Sequence, residues 1–67
     1  MQLTLEAEQE TDGRWLAEVP ELAGVMAYGE TRNGAMVRAE ALAFRVLAER
    51  LKGEAQPMPI SLSIAAE

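Results

Sequence analysis

The chain has no cysteine and no histidine. Without thiols no disulfide can hold a small fold together, and without either residue type the common zinc sites lose their ligands. The same absences remove the side chains that most often titrate near neutrality or act as activated nucleophiles. Serine occurs only at Ser61 and Ser63, with no histidine to activate either, so serine triads are excluded. Basic residues are also few. Six Lys and Arg stand against eleven Asp and Glu, a net charge of -5, which repels phosphate backbones and disfavours direct nucleic-acid binding. No apolar run approaches the roughly 20 residues of a membrane span. The longest uncharged stretch, Ala55 to Ala66, carries prolines and serines. The first residues lack a basic, apolar-cored leader, so a cytoplasmic location is expected.

What is present is an acidic chain of 67 residues, room for one small domain over 1–67 whose core alone gives marginal stability. With disulfides and zinc excluded, self-association is the remaining staple, and a homo-oligomer, dimer or tetramer, is expected. Neither an enzymatic activity nor a cofactor is expected.

Local patterns divide the chain into five elements. From Gln2 to Glu8 the residues alternate, Leu3, Leu5 and Ala7 on one side and Gln2, Thr4, Glu6 and Glu8 on the other, which predicts a half-buried strand. Asp12-Gly13 predicts a hairpin turn. A second strand over 14–19 sets Trp15, Ala17 and Val19 together, with Leu16 alone among polar groups on the reverse side. Pro20 ends it. The third strand, Val25 to Gly29, has apolar groups on both faces, as a central or partner-covered strand would. Thr31 is a candidate helix cap, and the chain from Arg32 to Lys52 lacks proline and is rich in Ala, Leu, Arg and Glu, which predicts one helix. Gly53 is expected to close it in a left-handed cap.

Winding that helix gathers Ala35, Ala39, Leu42, Ala43 and Val46, flanked by Met36 and Leu47, into the stripe that should lie on the sheet. Val37, Ala41, Phe44, Ala48 and Leu51 fall on a further arc that one sheet cannot also cover. Glu54 to Pro59 is a linker, and Ile60, Ser61, Leu62, Ser63 and Ile64 alternate as a last strand. The order β-β-β-α-β predicts an α+β fold: an antiparallel three-stranded sheet, one long helix across it, and a C-terminal edge strand.

Few residues suggest chemistry. Glu6 and Glu8 share a strand face and could offer oxygen ligands to a hard cation, but a solvated face explains them more simply. Gly24 and Gly29 lack the Lys and Ser or Thr of a phosphate cradle. Arg38, Arg45 and Lys52, seven apart, make a basic stripe on the helix. The aromatic residues are only Trp15, Tyr28 and Phe44; Trp15 is expected in the core, whereas Phe44 lies away from the sheet-facing stripe. Candidate contact residues for an oligomer or partner are therefore Val37, Phe44, Ala48 and Leu51 on the helix, and Leu16, Met26 and Tyr28 on the second sheet face.

The run from Asp12 to Thr31 resembles the N-terminal domain of HicB-like antitoxins. The shared pattern is a D-G turn, an aromatic-led strand ending in E-x-P-x-L-x-G, a strand closing in G-x-T, and a long helix. It falls here on Asp12, Gly13, Trp15, Pro20, Leu22, Gly24, Gly29 and Thr31, and the resemblance covers Leu3 to about Leu51. It implies a partial ribonuclease H-like fold without that fold's catalytic carboxylates, and a role in neutralising a small basic mRNA-cleaving toxin, HicA. Two departures stand out: Gly34-Ala35 replaces the family's usual Glu-Ala in the first helical turn, and no C-terminal DNA-binding domain follows, so a short stand-alone member is expected. The alternative is an orphan structural or regulatory oligomer that binds a different protein or a small ligand.

Overall fold

A computed structural model describes residues 1–65; Ala66 and Glu67, the end of the expected 1–67 domain, lie outside the described residues. The elements are β1 (Gln2–Gln9), β2 (Trp15–Glu18), β3 (Met26–Gly29), α1 (Arg32–Lys52) and β4 (Ser61–Ile64).

β1 and β2 form the hairpin that the alternation and the Asp-Gly pair predict, in register Glu6 with Glu18 and Glu8 with Leu16. The turn is closed by a bond from the Gly13 amide to the Glu10 carbonyl (3.0 Å). Gly13 takes φ +90°, where an L side chain is strained. β2 pairs antiparallel with β3, Leu16 opposite Tyr28. α1 then carries the chain across the sheet from the β3 edge to the far side of β1. A crossover of that kind permits parallel pairing, and β4 runs parallel to β1, Leu3 beside Leu62.

The α+β class and the single long helix agree with the sequence reading, while the sheet differs in detail. It is four-stranded and mixed, in the order β3-β2-β1-β4. β3 is an edge strand rather than a central one, because the crossover delivers β4 to β1 and leaves β3 with β2 as its sole neighbour among the described residues.

The core lies between α1 and one sheet face. Leu3, Leu5, Ala17, Val19, Leu22 and Val25 meet Ala35, Met36, Ala39, Ala43 and Leu47, with Trp15, Leu42, Val46, Ile60 and Leu62 packed around them. Helix and sheet approach closely at the end of β3. A Cβ on Gly29 would stand 2.5 Å from the Ala35 backbone nitrogen, a distance that only glycine avoids. Thr31 caps α1 by accepting from the Gly34 amide (3.0 Å), although no acidic residue supports the first turn. The C-terminal cap differs from expectation: Gly53 has φ -94°. Its amide and that of Glu54 donate to Arg50 and Leu51 (both 3.1 Å), so the helix closes by tightening into i to i+3 turns instead of reversing to the left-handed region.

Candidate functional surfaces

α1 shows two apolar faces. The inner one is buried as the periodicity predicts. The outer one is uncovered: Val37 is 63% exposed, Phe44 53% and Leu51 40%, with Ala41 and Ala48 exposed between them. A helix that is apolar most of the way round is ordinarily covered on every side. The four helical candidates, Val37, Phe44, Ala48 and Leu51, are thus brought together on one strip.

The second surface is the sheet face that α1 leaves open. Pairing aligns Glu8, Leu16 and Tyr28 in one row and Glu6, Glu18 and Met26 in the next. Leu16 is half-buried, whereas Met26 and Tyr28 are exposed. Glu6, Glu8, Glu10 and Glu18 surround Leu16 in a shallow depression of about 190 Å³. Glu6 directly opposes Glu18, a like-charge pair that costs stability, so this face is both strongly acidic and partly apolar. Among the described residues, no three acidic side chains are grouped to hold a metal ion. Leu16, Met26 and Tyr28 therefore form a patch on the opposite side of the molecule from the helical strip, and the seven candidates make two surfaces rather than one.

A third feature lies where β3 meets the start of α1. Arg14, Tyr28, Gly29, Glu30, Thr31, Gly34 and Arg38 line an open cleft of about 490 Å³. The Arg14 guanidinium sits over the Tyr28 ring at 4.4 Å, a cation–π distance, while its Nε pairs with Asp12 at 2.9 Å. The Arg14 backbone amide also donates to Asp12 (3.0 Å), and this bond, followed by the side-chain one, holds the Asp12 carboxyl below its ordinary value. From the helix side, Arg38 donates to the Tyr28 carbonyl (3.1 Å). Sequence reasoning placed Arg38 only in a basic stripe on the helix; its contact with Tyr28 depends on where β3 ends under α1, which spacing along the chain does not disclose.

Three glycines of the motif series, Gly13, Gly24 and Gly29, sit at points where the backbone needs them. Gly24 takes φ +79° in the connection after Pro20. That connection also places Glu21 where β1 outruns β2. The Glu21 carboxylate accepts from the Thr4 amide (2.9 Å) and hydroxyl (3.0 Å), filling the place of a ladder partner. The amide bond is the larger cause of the lowered Glu21 pKa.

Among the described residues, no helix is long and apolar enough to cross a membrane. No family model matches the chain, and no curated protein or solved structure aligns with it.

Proposed function

We propose that the chain is a non-catalytic, self-associating binding module of the bacterial cytoplasm that neutralises a small basic, RNA-cleaving toxin of the HicA type by protein–protein contact. The observation that carries this reading is the ordered motif series of the HicB-like pattern, whose members hold the backbone at defined points. Gly13 lies in the hairpin turn, Gly24 at positive φ, Gly29 under the helix and Thr31 at its cap. Two surfaces support a binding role. The outer strip of α1 suits a second copy. The acidic sheet face, with Leu16, Met26 and Tyr28 set in it, suits a cationic protein, since opposite potentials steer encounter and the apolar groups supply area to bury.

The test is to purify the chain with any small basic protein encoded beside its gene and to follow RNA cleavage by the latter. Cleavage is expected to stop at stoichiometric binding. It is expected to return when Glu6→Lys and Glu18→Lys reverse the charge of the open face. Undiminished cleavage in the presence of excess chain overturns the toxin-neutralising reading and favours the orphan oligomer.

A further inference from the structure

The exposed apolar residues of α1 are spaced four, three, four and three apart: Val37, Ala41, Phe44, Ala48, Leu51. That is the spacing of a heptad seam, with Val37, Phe44 and Leu51 at d positions and Ala41 and Ala48 at a positions. The f positions opposite it, Ala39 and Val46, face the sheet, Ala39 fully buried and Val46 packed on the core. The seam is therefore turned away from the protomer's own sheet, and a second helix can lie along it with the two sheets on the outside. Alanine at both a positions lets the backbones come close.

The flanks differ in sign. The e positions are Arg38, Arg45 and Lys52, and the g positions within α1 are Glu40 and Leu47, of which Leu47 is buried in the core. In a parallel pair each g residue faces the e residue of the next heptad across the seam, so Glu40 meets Arg45 of the partner subunit, twice by symmetry. An antiparallel pair sets e against e and g against g, basic against basic. Arg38 and Lys52 already bond within the chain, to the Tyr28 carbonyl and to Glu49 (2.8 Å), which leaves the Glu40 and Arg45 pairs to select direction. We propose that two copies of this chain join through the α1 seam with their helices parallel and in register, so that Val37, Phe44 and Leu51 each meet their own counterparts. The inference rests on the reading that the chain self-associates through the outer face of α1, and it adds direction and register.

The absence of native cysteine makes cross-linking of the whole chain a direct test. Val37→Cys alone and Leu51→Cys alone are each expected to oxidise to a covalent dimer. In an antiparallel pair centred on Phe44 the two copies of either position stand about 20 Å apart, given about 1.5 Å of rise per residue. Cross-linking only in a mixture of the two variants therefore overturns the parallel arrangement while keeping the seam. A dimer by sedimentation that no combination cross-links overturns the seam itself, and a monomer at every concentration overturns self-association as a whole. Charge gives a second readout. Glu40→Lys is expected to weaken the dimer roughly tenfold, since two pairs are reversed at once, and adding Arg45→Glu is expected to restore it. Failure of that rescue counts against the parallel register.

Discussion

The inner and outer faces of α1 carry their bulk in an unusual way. The inner face is built on Ala35, Ala39 and Ala43, with Met36 and Leu47 beside them, and all five are at most 5% exposed. The outer face holds Val37, Phe44 and Leu51, and each is at least 40% exposed. The smallest side chains are the most deeply buried because the centre of the inner face is limited by distance: a sheet that leaves no room for a Cβ at Gly29 meets Ala35 and Ala39 there, while the larger Met36 and Leu47 pack beside them. The outer face meets no such limit from its own protomer. Large apolar groups there keep much of their surface in water until a second surface arrives, and burying each fully is worth about 1.5–3 kcal/mol.

The contrast can be broken most forcefully at the core. Leu5→Ala, on the strand beneath α1, is expected to cost about 2–5 kcal/mol, which leaves little of the roughly 3–5 kcal/mol that a core of this size supplies. Chemical denaturation should find it largely unfolded. Phe44→Ser, measured at high dilution, is expected to change monomer stability by no more than about 0.5 kcal/mol, yet to remove the concentration dependence of thermal unfolding. A subtler comparison uses two alanines of the same helix. Ala39→Leu overfills the inner face at a cost of about 1–3 kcal/mol, whereas Ala41→Leu on the outer face should leave monomer stability within about 0.5 kcal/mol. Equal destabilisation by both would show that the outer face is as confined as the inner one.

The smallest expected effect concerns Glu21. Its carboxyl titrates below its ordinary value, chiefly through the bond from the Thr4 amide. The contribution it makes is therefore complete above the usual carboxylate range and is lost as pH falls through the lowered folded-state value. Glu21→Ala should flatten the acid side of the stability profile slightly, and the Thr4 amide resonance should lose its acid titration. The carboxylate is exposed, so screening keeps the effect modest.

Most elements were legible because their signals are local. The alternation of Gln2 to Glu8, the Asp-Gly turn, Pro20 after β2 and the capping Thr31 each specify backbone within a few residues, and the stripe from Ala35 to Val46 identified which helix face meets the sheet. The strand order was not legible in the same way. Apolar groups on both sides of 25–29 suggested a central strand, but an edge strand carries the same pattern when Met26 and Tyr28 stand on an uncovered face. Period-two alternation reports which residues share a face and says nothing about which strand lies beside which. The Gly53 cap shows a similar limit: glycine permits the left-handed turn, and the i to i+3 bonds of Arg50 and Leu51 decide against it. Of the candidate surfaces, the helical strip followed from counting apolar residues around the wheel. The meeting of Arg14 and Arg38 at Tyr28 needed the fold, because it joins a hairpin, an edge strand and a helix that no sequence interval relates.

The bond from Arg38 to the Tyr28 carbonyl has a bearing on what happens to this chain when it is concentrated. A short rim strand of Met-Ala-Tyr-Gly with its backbone open to solvent is a template onto which strands from other molecules add, and repeated addition leads to fibres. A guanidinium anchored in the second turn of the helix occupies that acceptor, so growth from this rim must first displace a charged side chain that the rest of the fold holds in place.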